Sequence, residues 1–237
     1  MSEIVQSEVR VGRFTSSEIW KLMAKGKGKK KIFGEAALTY IRAKRYELIL
    51  GRSIGSTNGG KATDWGSAVE GYVFDKIGIK YSFGATKAVA HPDFPEHWAG
   101  STDSVARMES LVSDIKCPFT LMEFMDLVSG GTAESMREKS ANGEHYFWQG
   151  VSNACIHDCR FAEVIVFVPY RSELEEVKTF AGSHSQWIKM ATDYQLPWIL
   201  DGGKMKNITH IRWEVTPELK QQLTDRVVAA VEKLEEL

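Results

Sequence analysis

The segment Gly100–Pro118, GSTDSVARMESLVSDIKCP, sets an isolated carboxylate, Asp103, upstream of Asp114 and Lys116, which stand two residues apart in an apolar, β-like run. Side chains alternate across a strand, so Asp114 and Lys116 share one face while Ile115 and Cys117 turn to the opposite, buried one. Ser101–Ala106 reads as the preceding strand. A hairpin turning at Met108-Glu109 pairs positions whose numbers sum to 217, which sets Asp103 across from Asp114. Carboxylates on cross-strand neighbours, with Cβ atoms roughly 4.5–5.5 Å apart, repel each other unless a cation lies between them. Magnesium or manganese, with their preference for oxygen ligands, would supply that cation. Against this, Arg107-Met108-Glu109-Ser110 lacks the Gly or Asn of a tight hairpin. Taken alone, D-x-K recurs by chance, and an exposed hairpin with scattered charges is the simpler reading.

The rest of the chain bounds the setting. Its 237 residues suit one large domain, and 43% hydrophobic with 26% charged residues is the composition of a globular protein. No apolar run approaches the ~20 residues of a membrane span, and the N-terminus has no signal-peptide pattern. Three cysteines, Cys117, Cys155 and Cys159, make no disulfide framework, so a reducing, cytoplasmic setting is expected. The net charge of −1 hides an asymmetry. Residues 1–60 carry twelve Lys/Arg against five Asp/Glu and the remainder eighteen against twenty-six, so a +7 third is joined to a −8 body. A basic N-terminal region of this kind suits a polyanion-binding face.

Thr15 or Ser16 can cap a helix through Ile19, Leu22 and Met23, followed by the basic loop Lys25-Gly-Lys-Gly-Lys-Lys-Lys31. Helical patterns cover Glu35–Leu50, ended by Gly51, and Thr63–Lys76. Lys87–His91, Trp98–Ala106 and Ser110–Cys117 read as strands. Phe119–Val128 and Glu144–Cys159 read as helices around a Gly130-Gly131 loop. Phe161–Pro169 is a β-branched strand with Glu176–Ala181 as its expected neighbour. Trp187–Leu200 reads as helix, Ile208–Val215 as the last strand and Pro217–Leu237 as an amphipathic C-terminal helix. This order predicts an α/β chain, a single domain of residues 1–237 with a central mixed β-sheet flanked by helices.

Glu70 lies in Trp65-Gly-Ser-Ala-Val-Glu70, on a helix just ahead of the strand cluster, where Gly66, Ser67 and Ala68 would let the helix approach the sheet. Glu on a helix, Asp on a strand, then Asp-x-Lys on the next strand resembles the PD-(D/E)xK nuclease superfamily with its restriction-endonuclease-like core. The resemblance is closer to the lambda-type phage exonucleases, the YqaJ-like viral recombinases. It rests on Arg10-Val-Gly-Arg-Phe-Thr-Ser-Ser-Glu-Ile19, Trp65–Glu70, Gly100-Ser-Thr-Asp103, Asp114-Ile-Lys-Cys-Pro-Phe-Thr120 and the helix around Gln149, in the family's order over about residues 10–160.

What the resemblance implies is a metal-dependent deoxyribonuclease. Glu70, Asp103, Asp114 and the carbonyl of Ile115 would hold one or two Mg²⁺, with Mn²⁺ able to substitute. Lys116 would orient the attacking water or steady the phosphate, and Gln149 would position the water or the metal shell. Arg10, Ser17 and Ser101 would cradle a terminal 5′-phosphate, while Lys27 of the basic loop and Lys61 would face the duplex. Helix capping is the alternative for Ser17. The implied activity is 5′-to-3′ digestion of one strand of double-stranded DNA, leaving 3′ tails for a single-strand annealing protein in phage-type recombination. The implied assembly is a homotrimeric ring in the cytoplasm of a bacterial host. An endonuclease of the same superfamily, or a non-catalytic DNA-binding module, are the alternatives.

Departures are visible. Thr102 replaces the superfamily's proline, and Asp114 replaces the Glu usual in this branch. Ser152 and Asn153 stand where a Tyr follows Gln149, and Thr63 stands where an apolar wedge enters DNA. Cys155-x-His157-x-Cys159 with Cys117 lacks structural zinc spacing, and three cysteines are too few for a Cas4-like iron–sulfur cluster. His91, His97, His145 and His157 fall into no Ser/His/Asp arrangement. Trp187, Trp198 and Trp213 read as core residues.

Overall fold

The computed structural model describes residues 9–26, 32–54, 59–78 and 87–237. Two mixed sheets carry the fold. In the first, β1 (Phe14–Thr15) runs parallel to β3 (Trp98–Gly100), which pairs antiparallel with β2 (Val89–Ala90). In the second, the order is β4 (Ser104–Ala106), β5 (Leu111–Lys116), β6 (Phe161–Phe167), β7 (Ile208–Glu214), with β5 and β6 parallel and both edges antiparallel. The expected mixed sheet flanked by helices is the second of these, and the first is a smaller sheet beside it. The expected strand Trp98–Ala106 breaks at residues 101–103, and its halves belong to different sheets. That break leaves Ser101 and Asp103 at the junction.

The helices are α1 (Glu35–Leu50), α2 (Lys61–Ile77), α3 (Leu121–Val128), α4 (Ala133–Lys139), α5 (Gly143–His157), α6 (Leu174–Gly182), α7 (Gln186–Met190) and α8 (Pro217–Glu235). Period-two alternation divides the second sheet between two cores. Val112, Val164 and Val166 face a layer that includes Ile41 of α1, Val151 of α5 and Val227 of α8. Leu111, Ile115, Ile165 and Phe167 face Val69 and Val73 of α2, Val177 of α6 and Ile188 of α7. Each such side chain contributes about 1.5–3 kcal/mol when fully buried. A carboxylate placed among them works against that total, which makes the buried Asp114 the residue to explain.

Three sequence expectations are corrected. Glu176–Ala181 is part of helix α6, because Leu174, Val177 and Ala181 recur at helical spacing and are all buried. Trp187–Leu200 is helical only as far as Met190; a 3₁₀ turn at Asp193–Gln195 and Pro197 follow. The N-terminal helix is a 3₁₀ turn, Ile19–Met23, whose first residue is preceded by Glu18, with no side-chain cap from Thr15, Ser16 or Ser17. Helix α4, capped by the Thr132 hydroxyl accepting from Ser135 N–H, carries no strong apolar pattern and was not anticipated.

Part of the N-terminal basic excess is internal. Lys44 Nζ is 2.9 Å from Glu47 Oε2 on α1, both side chains are nearly inaccessible, and Glu47 also accepts from the N–H of Gly12 at 3.0 Å. This ion pair fixes the segment that presents Arg10; removing one partner of such a pair costs about 3–5 kcal/mol. On α8, the Arg226 guanidinium donates to the carbonyls of Leu22, Ala24 and Ile32 at 2.8, 2.9 and 2.6 Å, either side of the basic run 25–31. Arg226→Ala is expected to lower stability by about 2 kcal/mol, since a charge-assisted hydrogen bond contributes 1.5–3 and water recovers part at this half-exposed position. An unchanged urea midpoint would contradict the clamp.

Candidate active site

The hairpin register is the one the two carboxylates demanded. Ser104 pairs with Ser113, Val105 with Val112 and Ala106 with Leu111, all summing to 217. The weak turn is made by the 3₁₀ residues Arg107–Glu109 and closed by Ser110 in a left-handed conformation, φ 50°. Ser110 is held from outside the hairpin, its carbonyl accepting from Arg160 and Phe161 N–H at 3.0 and 2.9 Å where β6 begins. Thr102, fully buried, stands at the junction in place of a proline and donates to the Ser113 carbonyl at 2.8 Å.

Beyond Ser104 the edge of β5 has no strand neighbour among the described residues, and its polar groups face Asp103. The Ile115 N–H donates to Asp103 Oδ2 at 2.7 Å. Asp114 and Lys116 point together toward α5, as alternation requires. There Gln149 Nε2 donates to Asp114 Oδ1 and Asn153 Nδ2 to Asp114 Oδ2, each at 3.0 Å. Lys116 Nζ lies 5.0 Å from the ring centre of Tyr146, one turn earlier on α5. Glu70 approaches from α2 and touches Asp103. Asn153 was missed: Gln149 and Asn153 are four residues apart on one helix face, and that spacing was the available signal.

Glu70, Ile115, Lys116, Tyr146 and Thr63 line one cleft of about 540 Å³, with Gly66 and Ser67 forming part of its wall. Only Ala68 of the small-residue run packs into the core. The electrostatics follow from the crowding. Burial, then the charge and contact of Asp103, push Glu70 up to about 8. Burial and the charge of Asp103 push Asp114 up to about 7, against the pull of Lys116 and the Asn153 amide. Burial opposes charge on Lys116, yet Asp114, Asp103 and Glu70 together hold its pKa above the ordinary lysine value.

Among the described residues no three carboxylate, imidazole or thiol groups converge on one point. Two carboxylates, Glu70 and Asp103, are in contact, while Asp114 is turned to the α5 amides. The donor set is nonetheless suited to a hard divalent cation: oxygen only, mutually repelling, and open to a cleft. The cysteines are divided by the sheet, Cys117 in one core and Cys159 in the other.

The raised carboxyl pKa values fix a sign. The folded chain holds protons on Glu70 and Asp114 at pH values where the unfolded chain has released them. Stability is therefore fullest below the ordinary carboxyl range and falls as pH rises toward the folded values of about 7 and 8. In EDTA the melting midpoint is expected to drop between about pH 5 and pH 8, and Glu70→Gln to flatten that slope. A slope of equal steepness in Glu70→Gln would show that Glu70 is not packed as described.

The other predicted residues divide. Arg10 Nη2 donates to Ser101 Oγ at 2.7 Å, so these two meet, two residues from Asp103. Ser17 lies two residues beyond β1 and hydrogen-bonds through its backbone to His145, whose pKa burial and then the Lys116 charge lower to about 4. Lys61 starts α2 with its Nζ 5.4 Å from the Trp187 ring centre. Lys27 lies outside the described residues. Trp213 is buried; Trp187 and Trp198 are half-buried, and Trp187 Nε1 donates to Asp64 Oδ2 at 3.1 Å.

Comparison with solved structures defines the fold class. The chain superposes on an alkaline exonuclease from Laribacter hongkongensis with a TM-score of 0.64 and 14% identity, covering 98% of this chain and 93% of that one. A complex of the same enzyme with dAMP matches equally. A phage-related exonuclease from Haemophilus somnus 129PT matches with a TM-score of 0.63 and 16% identity over 94% of each chain. No protein-family model and no curated protein sequence matches the chain. The fold is that of these exonucleases over nearly its whole length, with the mixed α/β core the motifs implied.

Proposed function

We propose that the protein is a divalent-metal-dependent exonuclease that digests one strand of duplex DNA from its 5′ end. The observation that carries this is the junction of the two sheets. It sets Arg10 and Ser101 beside Asp103, which touches Glu70 at the cleft that Glu70 and Lys116 line, with Asp114 buried next to them on the α5 side. The shared fold with three exonuclease structures supports it, and a mononucleotide bound to one of them suits the expected product.

In this reading Glu70, Asp103, Asp114 and the Ile115 carbonyl hold one or two Mg²⁺, or Mn²⁺ in their place. An ion held there would supply activation of the attacking water and neutralisation of charge on the attacking and leaving oxygens. Lys116, kept protonated by its carboxylate neighbours, steadies the negative phosphate and orients the attacking water. Gln149 holds Asp114 Oδ1 so that the carboxylate does not rotate. Arg10, Ser17 and Ser101 take the terminal 5′-phosphate. Attack at phosphorus breaks its bond to the 3′-oxygen, which leaves with a proton. The shortened strand then ends in a new 5′-phosphate, again a ligand for Arg10 and Ser101. Lys61 and the basic loop that contains Lys27 follow the duplex. The exposed 3′ tail would serve a single-strand annealing partner in phage-type recombination, with the chain acting as a homotrimeric ring in a bacterial cytoplasm.

Linear and covalently closed circular duplexes, incubated side by side with Mg²⁺ or EDTA, test the reading. Loss of the linear form alone, and only with Mg²⁺, is expected. Nicks in the closed circle would replace it with an endonuclease, and binding without cleavage of either form with a non-catalytic module.

A further inference from the structure

The two amides that hold Asp114 differ in what else they touch. Gln149 Nε2 reaches Asp114 Oδ1. Asn153 Nδ2 divides its protons between Asp114 Oδ2 at 3.0 Å and the backbone carbonyl of Ser101 at 3.1 Å. Both of its neighbours are acceptors, so only the amine end of the amide can face them; the rotated amide would set oxygen against oxygen. The Asn153 side chain is fully buried, and its own oxygen has no hydrogen-bond partner. An amide that leaves its acceptor unsatisfied in a closed site is held there by its two donors.

The backbone is shaped around this contact. A Cβ on Gly100 would lie 2.7 Å from Asn153 Oδ1 and 2.0 Å from Ser16 Oγ, so only glycine lets β3 come this close to α5. Ser152 fixes the other side: its hydroxyl is 2.7 Å from Ser16 Oγ and accepts from Trp98 Nε1 at 2.8 Å. One continuous path results, from the Arg10 guanidinium to Ser101, through the Asn153 amide to Asp114, and on to Gln149.

We infer that Asn153 is a positioning residue that makes one unit of the terminal-phosphate cradle and the cation-binding carboxylate. By holding the Ser101 backbone and Asp114 with a single amide, it fixes where the 5′-phosphate sits relative to the cation. This rests on the nuclease reading above.

Two measurements on the intact protein separate the roles: Ca²⁺ affinity by calorimetry without DNA, and the ratio of kcat/KM for 5′-phosphorylated over 5′-hydroxyl duplex ends in Mg²⁺. Asn153→Ala is expected to weaken Ca²⁺ binding about tenfold or more, as loss of outer partners of metal ligands does. In the same variant the end-preference ratio falls toward one. Gln149→Ala should weaken Ca²⁺ binding and keep the ratio; Ser101→Ala should lower the ratio and keep Ca²⁺ affinity. Should Asn153→Ala fail to fold, Asn153→Ser decides, since its shorter side chain reaches neither acceptor. An alanine or serine variant that keeps the wild-type ratio overturns the inference while leaving the nuclease reading intact. A wild-type protein that binds no Ca²⁺ and ignores the terminal phosphate overturns both.

Discussion

Lys116→Ala is expected to bind duplex ends and divalent cations yet cleave at least about 10²–10³-fold more slowly, the cost of losing one fixed charge aimed at a developing anion. Its side chain is the ammonium among Glu70, Asp103 and Asp114, and those carboxylates are what keep it charged. Removing it has two opposed effects on the cation. Repulsion between the ammonium and the incoming ion disappears, while Glu70 and Asp114 lose a positive neighbour and retain protons to higher pH. Well above pH 8, where both carboxyls are ionised even without the ammonium, the first effect wins, so Ca²⁺ affinity is expected to be kept or to rise there. Single-turnover cleavage with parallel end-binding measurements checks this, and cleavage at the wild-type rate would remove Lys116 from the chemistry.

Glu70→Gln is expected to make the cation-free protein more stable and the enzyme nearly inactive. Glu70 and Asp103 touch, and the charge of Asp103 raises the energy of charge on Glu70. A glutamine amide in the same place donates to Asp103 and carries no charge. The melting midpoint in EDTA at pH 8 should therefore rise. Cation affinity should fall about tenfold or more with the loss of an anionic ligand, and cleavage should fall with it. Such opposition of stability to function marks a site built from groups the fold would otherwise reject. A variant less stable than wild type under these conditions would show that the Glu70–Asp103 contact stabilises the fold and is not a strained ligand pair.

Much of the site was legible because period-two alternation and a cross-strand sum need only local chemistry. Asp103, Asp114 and Lys116 came from that pattern, and β4–β5 pairs in the register it gave. Even the poor turn was informative, because Ser110 is held by β6 and the register is set by the sheet. What stayed hidden depends on partners far away in the chain. The break at residues 101–103 adjoins Gly100, whose close approach to Ser16 and Asn153 spans 84 and 53 positions of sequence. In α6 the β-formers Val177, Thr179 and Phe180 favour a strand, and the helical spacing of Leu174, Val177 and Ala181, buried in the core that α2 shares, outweighs them. Asn153 stands where the family pattern carries a tyrosine, so the resemblance assigns it no role, and only its spacing from Gln149 puts it on the Asp114 side of α5. Lys44 and Arg226 are basic residues whose work is internal, which no charge count distinguishes from a DNA-facing surface.

The most direct measurement uses a linear duplex with 5′-phosphates, labelled at the 5′ end of one strand in one preparation and at the 3′ end of the same strand in another. Incubated with Mg²⁺, the 5′ label should be released first as a mononucleotide while the 3′ label stays in long fragments, and EDTA should stop both. Release of the 3′ label first, or equal early loss of both, would contradict digestion from a 5′ end held by Arg10 and Ser101.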